Sequence, residues 1–263
     1  MSAHDTPPIV VGIVNVTPDS FYDGGRYPNL VRHALQLVEE GADWLDIGGE
    51  STRPGAEAIT AEEECARVLP LITALRDTVP ISIDTTKPLV AKRALQKGAA
   101  IINDVSGLRN PEMVALTQDA WGTVVMHNRG TPHTMGGLTQ YPDLVSNVRD
   151  HLVQAAQRAK SPNVWIDPGI GFAKTADQSV TLIRHLDAFV QTGFPVFLGA
   201  SRKSFIGQTL NLPDPDARLY GSLAAVAAAH ARGVRVFRVH DVAPTKQLLG
   251  LLQAIDSPST PYI

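Results

Sequence analysis

Apolar residues in this chain fall into short runs that end on a polar side chain, separated by segments in which apolar positions recur at intervals of three and four. Eight runs have the length and β-branched content of buried strands: Ile9 to Asn15, Asp43 to Gly48, Ile81 to Thr85, Ile101 to Val105, Thr123 to His127, Val164 to Pro168, Pro195 to Ala200 and Val236 to Asp241. Spacings such as Leu30, Ala34, Leu37 and Val38, or Val68, Leu69, Ile72 and Leu75, predict helices between them. Thr60 followed by Glu63 predicts a capping box at the second helix, and Gly41, Gly98 and Gly233 stand where helices should stop. Pro70 predicts a kink in the second helix, because it removes one N–H from the ladder. Apolar strands alternating with helices predict a single (β/α)8 TIM barrel, since parallel strands need helical crossovers and cover on their outer face. An open doubly wound sheet is the competing architecture, but no GxGxxG follows the first run, which removes the main signal for dinucleotide binding. No linker or low-complexity tract divides the chain, so one domain is expected, with its core at about residues 9 to 256.

Composition narrows the class of ligand. With 44% hydrophobic and 19% charged residues, the 263-residue chain has ample apolar surface for a barrel core. A formal charge of −3 gives no general attraction for nucleic acid or an anionic membrane, so an anionic ligand has to be held by local cations. The one cysteine, Cys65, sits in a helical pattern and reads as a buried thiol in a reducing compartment. The opening residues lack a basic start and an apolar stretch, and no run approaches the roughly 20 residues of a membrane span. A cytoplasmic location is the expectation.

The candidate chemistry lies where the strand runs turn polar, because the C-terminal ends of barrel strands build the active site. There the chain carries Asn15, Asp46, Asp84, Asn103, His127, Asp167, Ser201 with Arg202 and Lys203, then Arg238 and His240. Any one of these, alone, reads as a turn former, a helix cap or a surface charge. Polar residues at all these ends imply a ligand that compensates their desolvation. Asp84, Asn103 and Asp167 offer acceptors to a flat ligand with an amidine-like N–H edge, as in a pterin, while Arg53, Lys203, Arg238 and His240 suit phosphate or pyrophosphate. Asn15 is a neutral oxygen ligand suited to Mg²⁺, which takes few protein ligands and completes its shell with water and phosphate oxygens; an Asn closing a turn is the alternative. Two long loops, VTPDSFYDGGRYPN and GESTRPGAEAIT, have the composition of active-site lids. A third, MHNRGTPHTMGG, carries His127, Arg129 and His133 but no third ligand at metal-binding spacing.

In order along the chain, NVTPDSFYDGG, LDIGGESTRPGA, ISIDTTKP, IINDVSGL, VVMHNRGTP, WIDPGIGFAKT, LGASRKSFIG and RVHDV resemble the motifs of the dihydropteroate synthase family, from Ile9 to about Ala254. The resemblance implies a transferase of folate biosynthesis that condenses 6-hydroxymethyl-7,8-dihydropterin pyrophosphate with 4-aminobenzoate, with Mg²⁺ as cofactor and sulfonamides as inhibitors. It implies that Asp84, Asn103, Met126, Asp167, Phe172 and Lys203 bind the pterin. Asn15, Thr52, Arg53, Arg238 and His240 would hold the pyrophosphate, with the metal at Asn15. Phe21, Thr52, Pro54, Ser201 and Lys203 would line the aminobenzoate side, and Asp84, Lys203, Arg238 and His240 would carry the catalysis. It also implies a homodimer paired through the last barrel helices, near the Ala-rich segment Leu223 to Gly233; the bland reading of that segment is a helix packed on its own barrel. Asn128 stands where the family more often has methionine, and Ala173 where glycine is commoner. The competing enzyme is a methyltetrahydrofolate-corrinoid methyltransferase-like barrel, which should lack the combination of NVTPDSF, STRPG and SRKSF present here. A silent binding barrel would be expected to lose Asn15, Lys203 or Arg238.

Overall fold

The computed structural model describes residues 7–16, 26–52 and 55–256. Its elements are β1 (Ile9–Asn15), α1 (Arg26–Glu39), β2 (Trp44–Gly48), α2 (Ala61–Leu75), β3 (Ile81–Asp84), α3 (Pro88–Lys97), β4 (Ile101–Asp104), α4 (Pro111–Leu116), β5 (Gly122–Met126), α5 (Leu144–Ala156), β6 (Asn163–Asp167), α6 (Ala176–Arg184), α7 (Asp187–Val190), β7 (Phe197–Leu198), α8 (Ser204–Leu210), α9 (Leu219–His230), β8 (Val236–Val239) and α10 (Val242–Asp256). The strands pair in parallel in the order β6-β5-β4-β3-β2-β1-β8-β7. A parallel bridge between Ile166 and Val196 joins the two ends of that order, with Ile166 N donating to Pro195 O at 3.0 Å. The sheet is thereby closed into the expected barrel.

Residue alternation along the strands separates two apolar layers. Leu45, Ile47, Ile81, Ile83, Ile102, Val125, Ile166, Leu198 and Phe237 join the helices in the large outer core. Val11, Trp44, Ile101, Val124, Trp165, Phe197 and Val236 form a separate cluster that fills the barrel interior. The interior floor rests on aromatic contacts: Trp165 lies 4.9 Å from Trp44 edge-on and 5.7 Å from Trp121. Gly122 is required beside it, since a Cβ there would fall 2.4 Å from the Trp165 ring. Two residues further along β2, β4, β6 and β8 the same inward face turns polar, at Asp46, Asn103, Asp167 and Arg238, and this step sets up the site.

Local signals hold with some corrections. Gly41, Gly98 and Gly233 take positive φ of 99°, 110° and 90° just beyond helix ends. Thr60 Oγ1 accepts from Glu63 N at 3.1 Å, but the Glu63 carboxylate turns to Arg67 at 2.5 Å, so only half of the expected box is seen. A full capping box stands instead at α6, between Thr175 and Gln178. Helix α2 continues through Pro70 without ending. Strand β7 shrinks to Phe197 and Leu198, against the six residues expected; Pro195 at its entry has no N–H for the ladder. Cys65 is buried as expected. Ser222, Ala225, Val226, Ala229 and His230 are the buried residues of α9, so much of the Ala-rich segment packs on its own barrel. Among the described residues no helix is long and apolar enough to cross a membrane.

Truncating Trp165 to Ala should remove the middle of the tryptophan cluster and cost about 3–5 kcal/mol. Urea unfolding followed by circular dichroism checks this, and a loss below about 1 kcal/mol would mean that the interior floor does not carry the barrel.

Candidate active site

The inward positions one layer above the floor are Asp46, Asp84, Asn103, Met126, Asp167, Gly199 and Arg238, brought level by the parallel register that pairs Asp84 with Asn103 and Met126 with Asp167. Their side chains form one network. Arg238 Nε donates to Asp46 Oδ2 at 2.5 Å, and its Nη2 donates to Asp84 Oδ2 at 2.9 Å. Asn103 Nδ2 donates to the same Asp46 oxygen at 3.1 Å. Four strands thus meet through one guanidinium and two carboxylates. The other oxygens, Asp46 Oδ1 and Asp84 Oδ1, are buried without a hydrogen-bond partner. Buried acceptors left open in this way call for an N–H donor from a ligand.

The electrostatics follow from that sharing. Burial raises the Asp84 pKa to about 7, opposed by Arg238 and reinforced by repulsion from Asp46, Glu64 and Asp104. Burial disfavours the Arg238 charge, but Asp46 and Asp84 outweigh it and hold the guanidinium above its ordinary value. Asp167 is likewise pushed up by burial, against Lys203 and the Gly169 N–H, which donates to Asp167 Oδ1 at 2.7 Å. Lys203 is pushed down to about 8 by burial, with Asp167 opposing. Its Nζ donates to Ile170 O at 2.6 Å and stands 4.7 Å from the Phe172 ring centroid, a cation–π contact. Gly199 keeps the space between these groups open: a Cβ there would lie 3.6 Å from Asp167 Oδ2, 3.8 Å from Arg238 Cδ and 3.9 Å from Lys203 Nζ.

The remaining expected residues are distributed around this pocket. Met126 is buried at the end of β5, and Asn15 is exposed at the tip of β1. His240 and Ser201 meet each other, with His240 N and Nδ1 at 3.2 and 3.1 Å from Ser201 Oγ. Arg202 turns away to Asp241 and Asp216, at 2.6 and 2.5 Å, from a positive φ of 56°. Thr52 is half-buried in the loop after β2. That loop is anchored at its base by Lys87, which pairs with Glu50 at 2.9 Å and Glu64 at 2.7 Å, and farther on by Gly55 N, which donates to Pro132 O at 3.2 Å. Phe21, Arg53 and Pro54 lie outside the described residues.

Two features have no role assigned from sequence. Asp46 is the hub of the network, and its signal is its two-residue spacing from Trp44 on the inward face of β2. Lys174 is buried behind the pocket, hydrogen-bonded to His127, with nothing local in the sequence to mark the pairing. Among the described residues no group of three or more His, Cys, Asp or Glu side chains is placed to hold a metal ion.

Closed parallel barrel and buried acceptor-rich mouth together define a (β/α)8 enzyme with a pocket for a flat, N–H-bearing heterocycle. The profile of the family described as "Pterin binding enzyme" matches residues 11–240. The dihydropteroate synthase of Synechocystis sp. is 45% identical over 94% of this chain and 89% of its own length. The solved dihydropteroate synthase of Xanthomonas albilineans with 4-aminobenzoic acid superposes with a TM-score of 0.89 at 43% identity, covering 97% of this chain and 95% of that one. The Yersinia pestis dihydropteroate synthase with a sulfonamide drug superposes with a TM-score of 0.86 at 36% identity, covering 96% and 95%. The chain belongs to the dihydropteroate synthase family of pterin-binding enzymes.

The Asp84 value near 7 makes a signed prediction for the ligand-free protein. A carboxyl whose folded pKa exceeds its unfolded one holds its proton more tightly when folded. Its contribution to stability is therefore present below about pH 4 and lost as pH rises towards 7. Carbon-13 carboxyl NMR should show a resonance titrating near pH 7 that disappears in Asp84→Asn; an Asp84 signal titrating near 4 would contradict the burial argument.

Proposed function

We propose that this chain condenses 6-hydroxymethyl-7,8-dihydropterin pyrophosphate with 4-aminobenzoate, releasing 7,8-dihydropteroate and pyrophosphate in folate biosynthesis. The observation that carries the reading is the convergence of Asp84, Asn103 and Asp167 with Arg238 and Lys203 in one buried mouth, with acceptor oxygens left open. Asp84, Asn103 and Asp167 take the amidine-like edge of the pterin, where N–H donors fill the open lone pairs. Lys203 serves the ring carbonyl or nitrogen, while Phe172 and Met126 pack about the ring.

In the reaction the methylene–oxygen bond to pyrophosphate breaks and a methylene–nitrogen bond to the aniline forms, with one proton leaving the nitrogen. Negative charge develops on the departing pyrophosphate and positive charge on the methylene. Arg238 and His240 stabilise the first, and Asp84 the second. Arg238 is bound to Asp46 and Asp84 through Nε and Nη2, so contact with pyrophosphate draws on its remaining N–H donors or on an exchange of part of that pairing. The arylamine is weakly basic and needs positioning more than deprotonation before attack. Ser201, Thr52, Pro54, Phe21 and the stem of Lys203 supply that positioning, and a sulfonamide would compete for it.

Mg²⁺ fits the one exposed neutral oxygen ligand that Asn15 presents, because the ion keeps most of its shell for water and phosphate. When bound it supplies charge neutralisation for the pyrophosphate; Asn15, Thr52, Arg53 and His240 hold the phosphates around it. A homodimer is proposed across the last helices, where Leu210, Tyr220, Leu251 and Ile255 are 53%, 82%, 63% and 66% exposed. Cytoplasm is the proposed location.

The test supplies purified protein, Mg²⁺, the dihydropterin pyrophosphate and 4-aminobenzoate. Dihydropteroate and pyrophosphate should appear in equal amounts, and a sulfonamide should slow both. Binding of the pterin without either product would defeat the reading. Lys203→Ala should lower kcat/KM by at least about a hundredfold. Its far-ultraviolet circular dichroism should stay that of the wild type, because Lys203 contacts the site and not the apolar core; near-normal turnover would remove Lys203 from the machinery.

A further inference from the structure

The loop joining β6 to α6 runs from Pro168 to Thr175 and takes positive φ at Gly169, Gly171 and Ala173, with values of 68°, 79° and 48°. Ala173 is not a glycine, so the left-handed conformation there costs on the order of 1 kcal/mol. A backbone of this shape needs hydrogen bonds to hold it. Tyr141 Oη donates to Ala173 O at 3.0 Å, Gly171 N to Ser179 Oγ at 3.2 Å, and Phe172 N to Gly169 O at 3.0 Å.

The strongest pin is Lys174, which is 8% exposed. Its Nζ donates to Phe172 O at 2.9 Å and to His127 Nδ1 at 3.0 Å. Neither partner is a carboxylate. Gly169 presses the loop against the end of β5, where a Cβ would fall 2.0 Å from His127 O. The pocket side of the same loop presents Ile170 O and the Phe172 ring to Lys203. The loop is therefore held on both sides, by Lys203 from the pocket and, behind it, by its own Lys174 reaching His127.

A desolvated ammonium without a counter-ion is a poor stabiliser, and an apolar side chain of the same length would be cheaper. What the amine provides is a bond to two acceptors on two different loops. Burial pushes Lys174 down to about 7, with Asp167 opposing and Lys203 and Arg129 adding repulsion. Burial, with Lys174, His151 and Arg129, pushes His127 down to about 2, so its ring is neutral and Nδ1 is free to accept. Tyr141, on which Arg129 stacks at 3.8 Å, closes the cluster on the remaining side.

We propose that Lys174 is a positioning residue for the pterin pocket: by tying Phe172 O to His127 Nδ1 it fixes the loop that hands Ile170 O and the Phe172 ring to Lys203, and so sets where the Lys203 ammonium stands beside Asp167. This rests on the assignment of that pocket to the pterin.

The test compares full-length wild type with Lys174→Met and Lys174→Gln, measuring the Kd for 6-hydroxymethylpterin by calorimetry and the KM for each substrate. Lys174→Met should raise the pterin Kd and the KM for the pterin pyrophosphate about tenfold, as expected for loss of a buried charge-assisted pair of hydrogen bonds. The aminobenzoate KM should stay within about twofold, and Lys174→Gln, which keeps an N–H donor, should fall between. An unchanged pterin Kd in Lys174→Met, or a parallel rise in both KM values, overturns the proposal. If Lys174→Met does not fold, wild-type pterin affinity in Lys174→Gln overturns it too. A wild type that binds no pterin overturns both the proposal and the pocket assignment. One that binds pterin without turnover defeats the reaction alone, and the calorimetric comparison still decides the role of Lys174.

Discussion

A single guanidinium, Arg238, is shared by two carboxylates, the buried Asp46 and the largely buried Asp84, at the mouth of the barrel. Two negative charges against one positive leave the cluster short of donors, which is why burial lifts Asp84 and why one oxygen on each aspartate stays open. Buried ionic triads are weak contributors to stability, because desolvation consumes most of the attraction. The arrangement makes physical sense as a receptor, in which the missing donors arrive with the ligand. The participants come from β2, β3, β4 and β8, and the curvature of the sheet lets Arg238 on β8, next to β1, reach Asp46 and Asp84 across the barrel interior.

The opposite wall answers with the complementary imbalance. Lys203 is half-buried beside Asp167 but directs its ammonium to a backbone carbonyl and an aromatic face, so its charge is incompletely matched and its proton is held less tightly. Between the walls Gly199 leaves room that a side chain would fill. A flat ligand with donors on one edge and an acceptor on the other satisfies both walls at once, which neither wall can do for the other without closing the pocket.

Much of this is legible in the chain because strand alternation and strand ends are local patterns. The run-and-spacing pattern locates all eight strands within a residue or two except β7, where Pro195 removes a ladder donor and the sheet closes through a lone bridge instead. Asp84, Asn103 and Asp167 are readable because they terminate apolar runs. Asp46 is harder to place: it sits two residues before the end of β2, and its role depends on Arg238, 192 residues away. Glu63 illustrates the same limit at short range, since Arg67 one turn later takes the carboxylate that the expected cap would use. Local rules name the candidates, and long-range partners decide among them.

The two departures from the usual family pattern fit this division between pocket and support. Asn128 is 8% exposed, and its Oδ1 accepts from Arg129 N at 2.7 Å while its carbonyl accepts from Arg109 Nη2. It is therefore occupied in shaping the loop after β5. Ala173 sits at the strained end of the loop after β6, where its carbonyl accepts from Tyr141. Tyr141 in turn lies under Arg129, so the two unusual positions belong to one support behind the pocket. That support includes the His127–Lys174 contact and ends at the Phe172 ring below Lys203. Variation at Asn128 and Ala173 then reaches the pocket only through backbone placement, altering its shape while leaving its charged side chains in place.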